Sequence, residues 1–174
     1  MSNRLTKQTS KKSSGTGVIH EKGGQWRGKK AGAGVVSYYI RGARRKLPSV
    51  DFRTPKLIKV LQAGLPVQEL NDLQATLEVP MDRLAPLLGI SKATLHRRKA
   101  QGKLDTAESD RVVRFARLMG RAVEVMESEG SARQWLSSPQ FGLGGAVPLE
   151  YAETEVGARE VEDLLGRIEY GVYS

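Results

Sequence analysis

Beyond Asp51 the apolar residues recur every three or four positions, the period of a helix with one buried face, and glycines and prolines cut the run into segments. TPKLIKVLQAG (54–64) reads as a helix with Thr54 as N-cap, Pro55 at the first helical position and Gly64 as its stop. LPVQELNDLQATLEV (65–79) puts Val67, Leu70, Leu73 or Gln74, and Leu77 on one face, and Pro80 ends it. MDRLAPLLG (81–89) is a short helix closed by Gly89, and SKATLHRRKAQG (91–102) is a second, opened by Ser91 and closed by Gly102. A long helix follows over 106–130, capped by Thr106, with acids in its first turn and Gly130 as terminator. Its buried stripe is Val112, Phe115, Ala116, Met119, Ala122, Val123 and Met126. The remainder predicts a short helix Ser131–Ser137, a helical turn from Pro148 through Tyr151, and a last helix capped by Thr154. The apolar face of that last helix is Val156, Val161, Leu164, Leu165, Ile168 and Val172. No two-residue alternation occurs after residue 40, so the pattern predicts an all-α fold.

The segment before Asp51 has a different texture. Residues 1–34 are rich in Lys, Ser and Gly without periodicity, which predicts loose order. VVSYYI (35–40) is a short strand or a helical turn. RGARRK (41–46) is a basic cluster able to touch phosphates or to serve as linker.

The two short helices flanking Gly89 have the spacing of a helix-turn-helix. Small Ala85 allows close crossing, Gly89 supplies the tight turn, and Ile90 and Leu95 seat the second helix. The second helix then offers Ser91, Lys92, Thr94, Arg97 and Arg98 to phosphates or base edges. Two details depart from a standard unit: Pro86 falls inside the first helix, and Arg98 takes a position that such motifs usually fill with a buried aliphatic residue. His96 reads as a surface residue. On the long helix, Arg111, Arg114, Arg117 and Arg121 share one edge and read as a solvated face, or as flank to a phosphate backbone or an acidic partner.

FGLGGAVPL (141–149) has the glycine density of a phosphate loop but not its context. A phosphate loop needs a strand before it, a helix N-terminus after it and, as a rule, a lysine. Here a helix precedes, Pro148 and Glu150 follow, and 131–174 contains no lysine. The glycines therefore predict a connector. Without cysteine, and with only His20 and His96, the chain also lacks thiolate ligands and the spacing of a zinc hydrolase. No catalytic, cofactor or metal site is expected. The N-terminus has no apolar signal core and no run is long enough to span a membrane, so a soluble cytoplasmic chain is expected.

Charge divides the chain. Of its net +9, residues 1–46 carry 12 basic residues and one acid, Glu21; residues 47–130 carry 13 basic and 11 acidic residues; residues 131–174 carry 3 basic and 7 acidic residues. The cationic front half suits a polyanion such as DNA or serves as a solubilising tail.

Read together, A-x-x-WL-x-x-P-x-x-x-LGG-x-x-PL-E (132–150) and T-x-x-G-x-x-x-V-x-x-LLGRIE-x-G (154–171) resemble the C-terminal domain of the Xre/MbcA/ParS antitoxins, which pair with RES-domain toxins. LLGISKATLHRRKAQGKLDTAESDRVVRFARL (87–118) resembles the Xre-like domain of the same family. The resemblance covers about 66–174 and leaves residues 1–50 as an addition. It implies a basic tail over 1–50, a helix-turn-helix domain over 51–130 and a toxin-binding domain over 131–174. It implies no catalysis by this chain, a RES-domain toxin that uses NAD as partner, occlusion of that toxin's active site, a homodimer, and binding of the chain's own promoter DNA. Trp135, Arg167, Tyr170 and Tyr173 are the candidate toxin contacts, as residue types favoured at interface centres; Trp135 also reads as core beneath the glycine loop. The alternative is a stand-alone helix-turn-helix regulator whose C-terminal domain only dimerises.

Overall fold

A computed structural model describes residues 34–42 and 54–172. The expectations for 1–33, for 43–53 and for Tyr173 fall outside these residues. The described residues belong to one compact unit, and all regular structure among them is helical: α1 (Val35–Gly42), α2 (Thr54–Ala63), α3 (Val67–Leu77), α4 (Met81–Leu87), α5 (Lys92–Gln101), α6 (Thr106–Met126), α7 (Glu129–Ser137), a 3-10 turn (Phe141–Leu143), α8 (Pro148–Tyr151) and α9 (Glu155–Glu169).

α6 is the axis of the molecule. The expected stripe is buried on it apart from Met126, which is half-buried. Val113 and Leu118 are buried as well, so apolar side chains cover far more than one face. This breadth lets α6 pack against α1, α2, α3, α7 and α9. Val67, Leu70, Leu73 and Leu77 of α3 are buried as the spacing requires.

The ends of the helices correct several expectations. α6 is capped by Asp105, not Thr106: the Asp105 carboxylate accepts from the Glu108 amide at 2.7 Å, and the Glu108 carboxylate accepts from the Asp105 amide at 2.8 Å. This reciprocal pair uses two orphan amides at once, which a lone threonine cannot do. α6 ends at Met126 rather than Gly130, because Glu127 turns into the left-handed region at φ 59°. Ser128 then caps α7, accepting from the Ser131 amide at 3.2 Å, so α7 begins at Glu129. α3 ends at left-handed Glu78, before Pro80 is reached. Pro86 does lie inside α4, where it is exposed, so the carbonyl one turn earlier that it leaves unpaired is on the solvent side.

VVSYYI is a helix that packs on α6 and buries Val35, Val36 and Ile40. Its first amides, of Val35 and Val36, donate to the buried carboxylate of Glu69 on α3 at 2.9 and 3.0 Å. An acid at a helix N-terminus satisfies orphan donors and favours the macrodipole. α1 crosses α6 at Gly120, where any side chain would run into the Tyr39 carbonyl.

Candidate functional site

α4, the turn at Gly89 and α5 form the expected helix-turn-helix. Ala85 and Ile90 are buried, and Gly89 has φ 66°. Arg111 of α6 lies over this turn, half-buried, and donates to the Leu88 carbonyl at 3.0 Å. Ser91 caps α5, its hydroxyl accepting from the Thr94 amide at 3.1 Å and donating to the Thr94 hydroxyl at 2.9 Å. Ser91, Lys92, His96 and Arg97 are exposed and Thr94 half-buried. Lys92 and Arg97 have no ion-pair partner among the described residues, and both point charge outward from the helix that the sequence marks for nucleic acid.

Arg98 sits apart from this set. Its guanidinium faces α6, with Nε donating to both Glu108 carboxylate oxygens at 3.0 and 2.7 Å, one terminal nitrogen to Asp105 at 2.7 Å and the other to Gln101 at 3.1 Å. The aliphatic seat flagged in the sequence is therefore filled by a paired charge.

The arginine edge of α6 continues into the C-terminal half as a ladder. Arg114 pairs with Glu155 at 3.0 Å, Arg117 with Glu162 at 2.6 Å, and Arg121 with Glu169. The three glutamates are seven residues apart, so they recur on one edge of α9. Burial pushes the Glu155 carboxyl up, but Arg159, Arg114 and Arg117 outweigh it, and its pKa lies below the ordinary value of 4.5. The expected solvated face is thus an internal contact between helices, and much of the negative charge of the C-terminal half is neutralised within the molecule. Glu150 is likewise paired, with Arg83 at 2.8 Å.

The outward surface of that half is made differently. The glycine segment folds into a tight turn in which the Gln140 amide donates to the Ala146 carbonyl at 3.0 Å and the Gly145 amide to the Gln140 carbonyl at 2.9 Å. Leu143 is buried and Gly142 lies against Leu164 of α9. Phe141 is 99% exposed. Within a 3-10 turn, residues two apart cannot both face inward; the leucine takes the pocket and the phenylalanine is turned out. The sequence reading missed Phe141, although its place two residues before a buried leucine was the available signal. Arg167, one turn along α9 from Leu164, is half-buried, and its Nε is buried without a hydrogen-bond partner. Tyr170 is 79% exposed. Trp135 is half-buried and packs against the core. On α9, Ala158, Val161, Leu164 and Leu165 are buried, while Val156, expected on the apolar face, is 73% exposed, because helical rotation carries it to the opposite side.

Residues 56–117 match the antitoxin Xre-like helix-turn-helix domain, and residues 121–171 match the antitoxin Xre/MbcA/ParS C-terminal toxin-binding domain. Antitoxin Xre of Yersinia enterocolitica is 36% identical over 120 residues, covering 68% of this chain and 81% of the relative. This chain belongs to the Xre/MbcA/ParS antitoxin family. Antitoxin Xre of Photorhabdus laumondii is 35% identical, over 69% of this chain and 82% of its own length. A Sphingobium protein called Prs ADP-ribosylating antitoxin is 29% identical, over 67% and 80% respectively. The antitoxin's two matched regions meet within α6, and α1 lies outside both. No described helix is long and apolar enough to cross a membrane.

Proposed function

We propose that this antitoxin neutralises a RES-domain toxin that uses NAD, by covering the toxin's active site with its C-terminal half, and that it represses its own operon as a cytoplasmic homodimer through α5. The chain itself performs no catalysis; its role is to bind. The observation that carries the toxin-facing reading is the outer surface of the C-terminal half, which carries fully exposed Phe141, exposed Tyr170 and half-buried Arg167, whose Nε lacks a partner. Large exposed apolar and aromatic side chains with an arginine are the composition of an interface centre. The name of the Sphingobium relative, which refers to ADP-ribosylation, fits a partner with NAD chemistry. Trp135, half-buried against the core, contributes to the packing that carries this surface. On the DNA side, Ser91, Lys92, Thr94 and Arg97 are the proposed contacts, with Lys92 and Arg97 free to meet phosphate or guanine.

Co-expression with the toxin encoded beside it is the test. Growth should resume and a complex should co-purify; persistent arrest with no complex would reject the toxin reading and leave a helix-turn-helix regulator. Arg97→Ala should weaken promoter binding without affecting rescue from the toxin.

A further inference from the structure

α5 is the proposed DNA-reading helix, yet none of its residues is buried. Leu95 is half-buried and packs against the core, and the rest of the inner face is polar. Its firmest attachment to α6 is ionic. The Arg98 side chain is 15% exposed and that of Glu108 5% exposed. The Glu108 carboxylate accepts from Arg98 Nε and from the Asp105 amide, so the group that holds α5 is the same group that closes the cap of α6.

We infer that Arg98 is a positioning residue: through Glu108 it latches the DNA-reading helix to α6 and fixes the angle at which Lys92 and Arg97 are presented. The inference rests on the DNA-binding reading above and deepens it. A guanidinium shared between two carboxylates is held through directional hydrogen bonds, which fix the angle of α5 as long as both partners of the buried pair are present. Glu108 is almost fully enclosed, so it affects DNA through α5 rather than by contact.

Two substitutions separate this role from a DNA contact. Glu108→Gln keeps an acceptor for the Asp105 amide but withdraws the charge facing Arg98. Removing a negative charge should by itself tighten DNA binding; the latch makes binding about tenfold weaker instead, as expected when a buried pair loses one partner. Arg98→Met should weaken binding similarly. The double variant Arg98→Met with Glu108→Gln leaves no unpaired buried charge and fills the seat with an aliphatic stem. It should recover to within about threefold of the wild-type chain.

The probe is a mixed-sequence duplex of about 30 base pairs, titrated by fluorescence anisotropy across a salt series, where each lost phosphate contact lowers the slope by about 0.9. A double variant no better than either single one, or a slope lowered by about one contact in every Arg98 variant, would make Arg98 a DNA contact and overturn the latch. Tighter binding by Glu108→Gln would overturn it too. Amide hydrogen exchange reads the latch without DNA. Exchange over Leu95–Gln101 should quicken about fivefold or more in both single variants and slow again in the double. Unchanged exchange would remove the latch even if the chain binds DNA, and a wild-type chain that binds no duplex at low salt would remove the DNA reading while exchange still decides the latch.

Discussion

α5 and the surface around α9 both carry side chains proposed to meet a partner, and the two helices are seated in opposite ways. α9 buries Ala158, Val161, Leu164 and Leu165 and adds an ionic ladder along one edge. α5 buries nothing fully and depends on Arg98. Apolar burial contributes broadly and tolerates exposed variation above it. A helix held by charge keeps its orientation only while one geometry persists. The difference teaches that stability and presentation are separate problems here: α9 is fixed by its underside, so its outer surface is free to vary for a partner, whereas the outer surface of α5 is only as well aimed as its ionic seat.

The largest effect expected from breaking this contrast is at Leu165, which is fully buried. Leu165→Ala should cost about 2–5 kcal/mol in urea unfolding, against about 1 kcal/mol for Leu95→Ala on α5. Equal costs would mean that α5 has an apolar seat after all. Phe141→Ser comes next: toxin affinity should fall by about 2 kcal/mol or more by calorimetry, with unfolding unchanged to within about 0.5 kcal/mol. Loss of stability without loss of affinity would move the interface away from the glycine turn. Gly120→Ala should cost about 1–3 kcal/mol by pushing α1 off α6, read as faster exchange in Val36–Ile40. Unaltered exchange there would show that α1 is held by Glu69 alone.

The smallest effect concerns the ladder. The folded pKa of Glu155 is depressed below its unfolded value, so its contribution is present above about 4.5 and is lost as pH falls through the lower folded value. Glu155→Gln should therefore flatten the acid limb of the stability curve below about pH 4.5 and leave neutral pH little changed, since the side chain is part-exposed. An acid limb identical to that of the wild-type chain would assign acid sensitivity to other carboxylates.

What could be read in advance were features decided by neighbours in the chain. Ser91 and Thr154 announced the starts of α5 and α9, Gly64, Gly89 and Gly102 announced turns, and the context of FGLGG announced a connector between helices. Where two local signals competed, as Asp105 and Thr106 did, the one with a reciprocal partner three residues on won. The family was legible for the same reason, because its motif is a run of turns and buried leucines. Nothing local said that Arg98 would face Glu108, that the α6 arginines would meet glutamates 41 to 48 residues later, or that Glu69 would cap α1. A charged side chain carries no mark of its partner; which surface it meets is fixed only when apolar packing has set the angles between helices. Phe141 follows the same logic, since one pocket under the glycine turn admitted Leu143 and left the aromatic ring outside. The chain by itself therefore determined the helices, the turns between them and the kinship, through contacts a few residues long. Tertiary packing decided which cations stayed free and which aromatic side chain faces solvent, because both depend on space and charge contributed by distant segments.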